Sequence, residues 1–405
     1  MSMQVEGSDR WVYLAIATLS QVSLAMIHLG IPAVIPLIQI ELRLSLTEVG
    51  ALVSLVNIGV VATTVWAGKA ADRFGERLII AYGTIAGGLM IMMVYFTTSF
   101  FSLVPVLLLL GVPFGSATPA GSKAVAGWFE QRERGTAMSI RQTGVPVGGA
   151  IAALVLPSLA LAYGWRFALS FVGVIAIGVG IAVLRLYKEP AAQPVHQAAT
   201  PIGGILDIIR RKNIWAVTLY ASILAGCQWC YLGYIELYLT DDINFPLVLA
   251  AALLAGGQIL GAAGRIISGL ISDRFFLGRR KPVLVTLGFL AIVLALVTIF
   301  LTPGTPRWTV AVIVACFGFA TMSWQGLYLT LITEIVGARM AAQAIGLTNT
   351  VVFFGIVCLP PLFGKIADYT GSYQMAWGWL ALVIVVPLFF FLRVKESGDS
   401  ESLKV

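Results

Sequence analysis

Apolar stretches of about 20 to 27 residues follow one another along almost the whole chain, separated by short charged turns. Each is long enough to cross a hydrocarbon core of roughly 30 Å as a helix. Lipid offers backbone N–H and C=O groups no partner, whereas a helix satisfies its own, so an all-α membrane protein is expected. Charged residues are 11% of the chain, against roughly 25% in a soluble domain. That difference leaves too little charge to cover a water-facing surface.

Twelve transmembrane helices are expected, at roughly 11–38, 47–68, 78–97, 102–127, 137–160, 166–187, 214–239, 247–272, 283–302, 308–333, 342–366 and 374–393. The first is too long for a signal-peptide core and lacks a small-x-small cleavage pattern, so it is expected to be retained. The longest polar segment, 188–213, carries Pro190, Pro194, His196 and Pro201. It divides an N-terminal six-helix bundle (1–187) from a C-terminal one with a short tail (214–405). About nineteen of the 26 lysines and arginines fall at the termini or after even-numbered spans, and four fall on the other side. By the positive-inside rule both termini and the linker are cytoplasmic, in a bacterial inner membrane. The same bias accounts for the net charge of +7, and no nucleic-acid partner is needed to explain it.

One charged turn occurs twice. Gly68, Asp72, Arg73, Gly75 and Arg77 stand between spans 2 and 3; Gly269, Asp273 and Arg274, then Gly278 and Arg279, stand between spans 8 and 9, 201 positions later. The second copy has two extra residues before its glycine, Phe276 and Leu277, and is expected to bend differently. A unit repeated once per half is the mark of two joined, pseudo-symmetric bundles. This turn resembles the signature of the major facilitator superfamily, and the resemblance covers the whole chain. It implies a monomeric transporter that works by alternating access, with the repeated turn as a gating element. An aspartate near a helix N-terminus contributes about 0.3–1 kcal/mol, a latch weak enough to open repeatedly. Fixing topology is the competing reading of the same residues.

A narrower resemblance runs from Gly121 to Gly149, including Lys123, Trp128, Arg134, Arg141, Gln142, Gly144 and Pro146. It is similar to bacterial anion and cyanate-permease-like carriers. Gly264-Arg265-Ile-Ile-Ser-Gly269 is similar to the eighth span of monocarboxylate and oxalate carriers. Leu107 stands where many proton-coupled members carry an arginine, and Gly148 is followed by Gly149 where drug antiporters have Gly-Pro. Both departures count against drug efflux.

Three cations lie inside spans: Lys123, Arg141 and Arg265. Aligning the halves with an offset of 201, or about 205 for the second helix pair, leaves them without counterparts, whereas the loop charges recur. Scaffold features recur under pseudo-symmetry and substrate features need not, so these three are candidates for substrate binding. Arg265 lies about 10 Å in from the end of its span, Lys123 and Arg141 only about 6 Å. At the shallower depth a long side chain also reaches the headgroups. With no acid at the same depth, a positively charged cavity selects an anion, and a guanidinium grips a carboxylate through two parallel hydrogen bonds. Asn57, Gln142, Gln325, Tyr328 and Asn349 are expected to complete the site, with Gln228 and Tyr231 as further polar neighbours.

Proton coupling has two candidates. His28 is mid-span, with an ordinary pKa of about 6.5, and a packing role competes with proton transfer there. Glu236 is read as lying near the outer end of span 7, close to Asp241 and Asp242, where an interfacial carboxylate is the competing reading. If neither carries a proton, exchange against a counter-anion replaces symport. Cys227-x-x-Cys230 lies in an apolar span without partner ligands and reads as packing, not metal or redox chemistry. No phosphate-binding loop, catalytic triad or metal set is seen, so neither enzyme nor cofactor is expected. Without an attached output domain a membrane sensor is disfavoured. The expected activity is transport of a small organic anion, monocarboxylates included, by proton symport, with efflux antiport or anion exchange as alternatives.

Overall fold

The computed structural model describes residues 9–129, 133–189, 205–337 and 340–394. Among them are fifteen α-helices and no strand. Helix α1 (Asp9–Gly30) and α2 (Ile35–Leu42) form one crossing, broken where Pro32 and Pro36 have no N–H to give to the preceding turn. Helices α3 (Leu46–Phe74), α4 (Glu76–Met92), α5 (Phe100–Trp128), α6 (Arg134–Tyr163) and α7 (Trp165–Leu186) complete the first six crossings. Short α8 (Ile205–Arg210) falls within the expected linker, of which 190–204 lie outside the described residues.

Helices α9 (Lys212–Asp241), α10 (Leu247–Arg274), α11 (Lys281–Thr298), α12 (Arg307–Met322) with α13 (Gln325–Val336), α14 (Ala341–Thr370) and α15 (Tyr373–Leu392) form the second six. The pair α12 and α13 is again one crossing, broken at Ser323–Trp324. Large apolar side chains such as Phe101, Phe300 and Phe354 stand outward, as lipid-facing positions do. Ten stretches of the described residues are long and apolar enough to cross a membrane.

The turns between spans are tighter than the sequence implies. Helix α3 runs on to Phe74, so most of the first repeated turn is helical, and the chain reverses at Gly75 (φ 84°). Only glycine takes that φ without steric cost. The second copy needs more residues, with Leu277 (φ 53°) and Gly278 (φ 84°) both on the left-handed side. Its two extra residues thus produce a different bend.

By internal contacts the chain divides into two compact units: Met1–Leu44 with Leu55–Val195, and Ser45–Ser54 with His196–Val405. In the first, α1 packs on α6, and α4 on α5 and α7; in the second, α9 packs on α14, α10 on α12 and α11 on α15. Glycines set the closest approaches in both. Gly111 on α5 lies against Gly59 of α3, and Gly318 on α12, 207 positions later, against Gly257 of α10. Gly148 on α6 meets the Val22 carbonyl, and Gly355 on α14, again 207 later, meets that of Ser222. With lipid as apolar as the side chains, such close van der Waals contact is a main source of helix–helix attraction.

The second unit also has an aromatic core. The Trp377 ring contacts Phe363 (4.7 Å), Phe317 (5.6 Å) and Tyr238 (6.2 Å). Each such pair contributes about 0.5–1.5 kcal/mol beyond area burial. In the same unit Asp368 caps the start of α3, accepting from the Leu46 and Thr47 amides at 2.8 Å each.

Two alanine substitutions have opposite expected outcomes. A Cβ at Gly318 would stand 2.5 Å from the Gly257 carbonyl oxygen, and one at Gly256 meets nothing within 4 Å. Gly318→Ala should lower stability by about 1–3 kcal/mol, and Gly256→Ala should leave it unchanged or raise it by about 0.5–1 kcal/mol. Thermal unfolding in detergent reads both, and equal effects would contradict this packing.

Candidate functional site

In the second unit, Ile259, Leu260, Ile266, Ile267 and Leu270 of α10 are exposed. At 3.6 residues per turn, Gln258 and Arg265 fall on the opposite stripe, with buried Ala251 and Leu254. Arg265 therefore points away from the lipid side. Its Nε donates to the Met322 carbonyl (3.2 Å), and one turn on, Ser268 Oγ donates to the Ser323 carbonyl (3.1 Å). These carbonyls are left without helical partners where α12 breaks, and α10 supplies the missing donors. Arg265 is half-buried and forms no ion pair among the described residues. Its Nη1 and Nη2 make no hydrogen bond there either.

Around the same break, Trp324 Nε1 donates to Gln228 Oε1 (3.3 Å), and the Trp324 and Tyr328 rings lie 5.7 Å apart. The Tyr328 hydroxyl is buried and donates to Thr348 Oγ1 (2.7 Å), so it is engaged within the bundle. Gln325 is exposed and Asn349 half-buried. Tyr231 is also engaged, its hydroxyl donating to the Val314 carbonyl (3.1 Å).

Glu236 is enclosed by the protein. It is 1% exposed, and neither carboxyl oxygen has a hydrogen-bond partner among the described residues. The nearby acids are occupied elsewhere: Tyr373 donates to Asp241 (2.9 Å) and Gln374 to Asp242 (3.0 Å). Burial raises the Asp242 pKa, the Gln374 hydrogen bond opposes this, and the Asp241 charge adds to it. Gln258, like Glu236, is 1% exposed with both amide atoms unbonded.

The first unit accounts differently for its cations. Arg141 is 1% exposed; its Nη2 donates to Gln21 Oε1 (2.7 Å), and its guanidinium lies on Gly121, where any Cβ would collide with it. The glycine contacts set the register between halves at 207 residues for these helices, replacing the 205 of the sequence alignment. Gly121 and Arg141 then match Tyr328 and Thr348. Each half fills the same buried junction, from α6 across a glycine in one and from α13 onto a threonine in the other. Arg141 thus sits in a packed junction whose counterpart in the other half, Thr348, is also buried.

Lys123 is half-buried, and the absence of a nearby acid does not hold for it. Its charge acts on the Glu76 carboxyl, as does that of Glu189 with the opposite sign. His28 is buried with its ring edge-on to Phe114 (4.4 Å), and Asn57 is buried. Gln142 is exposed. Cys227 and Cys230 are buried free thiols, and the described residues contain no cluster of three metal-ligating side chains.

In the repeated turns, Gly68 and Asp72 belong to α3, but their side-chain positions lie outside the described part. Arg73 is exposed with its guanidinium over Phe74 (5.2 Å). Arg77 donates from its side chain to the Leu184 carbonyl and from its amide to Glu189 (3.3 Å). In the second copy Asp273 pairs with Arg280, which also reaches Glu334 (3.3 Å); Arg274 is exposed and Gly269 faces open space. Sequence reasoning missed Gln21, Glu189, Gln258, Arg280 and Glu334. Of these, Gln21 and Gln258 had a signal, as amides inside apolar spans.

The Arg141 junction yields a double-mutant test. Gln21→Leu removes an acceptor from a buried guanidinium and should cost about 1–3 kcal/mol. Adding Arg141→Met should recover much of that loss. Thermal unfolding of the single and double variants checks this, and additive losses would contradict the coupling.

A sequence profile described as Major Facilitator Superfamily matches residues 15–360. An uncharacterized MFS-type transporter, Rv2994 of Mycobacterium tuberculosis H37Rv, is 30% identical over 387 residues, 94% of this chain and 83% of that one. A probable L-galactonate transporter of Escherichia coli K12 is 26% identical (83% and 78% covered), and a hexuronate transporter of Bacillus subtilis 168 is 27% identical (88% and 89%). A membrane sensor protein of Escherichia coli K12, UhpC, is 25% identical (88% and 84%). In structure, a single-residue mutant of the nucleoside transporter NupG superposes with a TM-score of 0.79 at 17% identity, covering 95% of this chain and all of that one. Twelve crossings in two related bundles, a charged turn in each half and this match over most of the length agree: the chain belongs to the major facilitator superfamily of membrane transporters.

Proposed function

We propose that this transporter carries a small organic acid by alternating access and that Arg265 receives the carboxylate. The observation that carries this reading is the guanidinium itself. It sits on the buried stripe of α10, fixed through Nε to a backbone carbonyl, with Nη1 and Nη2 unbonded and no acid paired to it among the described residues. A guanidinium so anchored presents a planar fork to a carboxylate and loses little side-chain entropy on binding. Gln325 on α13 and Asn349 on α14 are further polar candidates. The relatives that carry L-galactonate and hexuronate favour the same cargo class.

Glu236 is the proposed proton carrier. An unpaired, ionised carboxyl at that burial costs several kcal/mol, which protonation removes. Moving between a dry and a wet setting then takes up and releases a proton. This favours proton symport over exchange against a counter-anion, with His28 the second candidate. Lys123 and Arg141 are assigned to anchoring within their own bundle. The charge bias supports both termini on the cytoplasmic side; the bacterial relatives favour an inner membrane, and one copy suffices. Similarity to UhpC makes sensing the second reading, and net uptake separates the two.

In proteoliposomes with an imposed proton gradient, the wild type should accumulate L-galactonate. Arg265→Gln should abolish uptake, and Arg265→Lys should retain a weak activity with raised KM. Near-normal uptake by Arg265→Gln would refute the carboxylate role. Glu236→Gln should lose gradient-driven accumulation yet keep exchange of labelled against unlabelled acid; unchanged accumulation assigns coupling elsewhere.

A further inference from the structure

Gln258 is the one buried side-chain amide of α10 that the fold leaves without use. It is 1% exposed, and neither its oxygen nor its nitrogen bonds to a described residue. Leaving a buried amide unbonded is unfavourable, and native proteins rarely do so without a reason such as a functional role. On α10 it lies seven residues before Arg265, on the same stripe facing away from lipid. The midpoint of the helix falls between the two. Carriers of this architecture hold their cargo near the membrane midplane.

We infer that Gln258 is the second pole of the Arg265 site: it bonds a hydroxyl group beyond the second carbon of the acid, so the cargo is a hydroxylated acid longer than lactate. This rests on the reading of Arg265 as the carboxylate receptor. Seven residues advance about 10.5 Å along a helix. An extended six-carbon chain spans about 6 Å, at ~1.2 Å of advance per bond. Counting the C–O bond and a hydrogen bond of ~2.8 Å at each end, its reach extends to about 14 Å, so hydroxyls short of the chain end also meet the amide. Lactate, whose hydroxyl is on C2, reaches only about 9 Å on the same reckoning. Side chains lean toward the helix N-terminus, which brings the Arg265 head toward Gln258. An amide donates and accepts at once, so it suits a hydroxyl, which does the same. It offers nothing to a methyl group in that place.

The test is binding, read as thermal stabilisation of the purified full chain by L-galactonate, hexanoate and lactate. The wild type should bind L-galactonate more tightly than either of the others, hexanoate lacking the hydroxyls and lactate the length. Gln258→Leu should weaken L-galactonate about tenfold, the loss of a hydrogen bond of about 1.4 kcal/mol, and leave lactate unchanged. Gln258→Asn, which keeps the amide on a shorter stem, should fall between and serves if the leucine variant does not fold. Equal binding of the three acids by the wild type would overturn the inference. So would L-galactonate binding that neither variant changes, even where Arg265→Gln abolishes it; in that case the carboxylate site stands alone. If Arg265→Gln binds all three acids normally, it is the carboxylate reading that fails.

Discussion

A guanidinium among apolar helices persists only where something receives it, and the two halves of this protein solve that problem differently. Arg141 lies across a glycine and donates to Gln21, inside a junction that recurs in the other half as Tyr328 on Thr348. Arg265 is anchored at Nε alone, by a carbonyl that the break between α12 and α13 sets free. The break thus has two effects. It costs the crossing its regular hydrogen bonds, and it orients a cation whose remaining donors stay available. Holding a binding group by a second contact is how a site is preorganised.

The surrounding frame is rigid where glycines meet and carries its polar groups on few helices. Gly257 against Gly318 fixes α10 on α12, and Arg265 lies two turns further along α10. The position of its guanidinium therefore follows from backbone packing. Glu236 on α9 is the counterpart in chemistry: an acid buried without a partner among the described residues, close in sequence to acids that the start of α15 occupies. In the proposed scheme Arg265 receives the anion and Glu236 the proton, which is the minimum a coupled carrier needs.

Much of this was legible in the sequence because bilayer physics leaves few choices. Apolar runs of span length placed the twelve crossings, and the turn at Gly75 and Gly278 announced two related halves. What the sequence hid depended on contacts distant along the chain. The 205-residue alignment matched Lys123 to Tyr328; packing of Gly148 and Gly355 gives 207, which sets Gly121 against Tyr328 and Arg141 against Thr348. Lys123 stood unopposed in the sequence because Glu76 is 47 residues away, yet the two charges interact. That Glu236 is buried was not legible from its distance to Asp241, since linear position says nothing of which helix face is buried. The α12–α13 break lacks a proline and has no local signature; only the α10 donors explain it.

The most direct test of Arg265 as the carboxylate receptor is the structure of the transporter with an organic acid bound, solved at a resolution that places the carboxylate. Both carboxylate oxygens should lie about 2.7–2.9 Å from Arg265 Nη1 and Nη2, with Nε still on the Met322 carbonyl. An acid bound elsewhere in the protein, with those two nitrogens turned to the backbone or to lipid, would contradict that role.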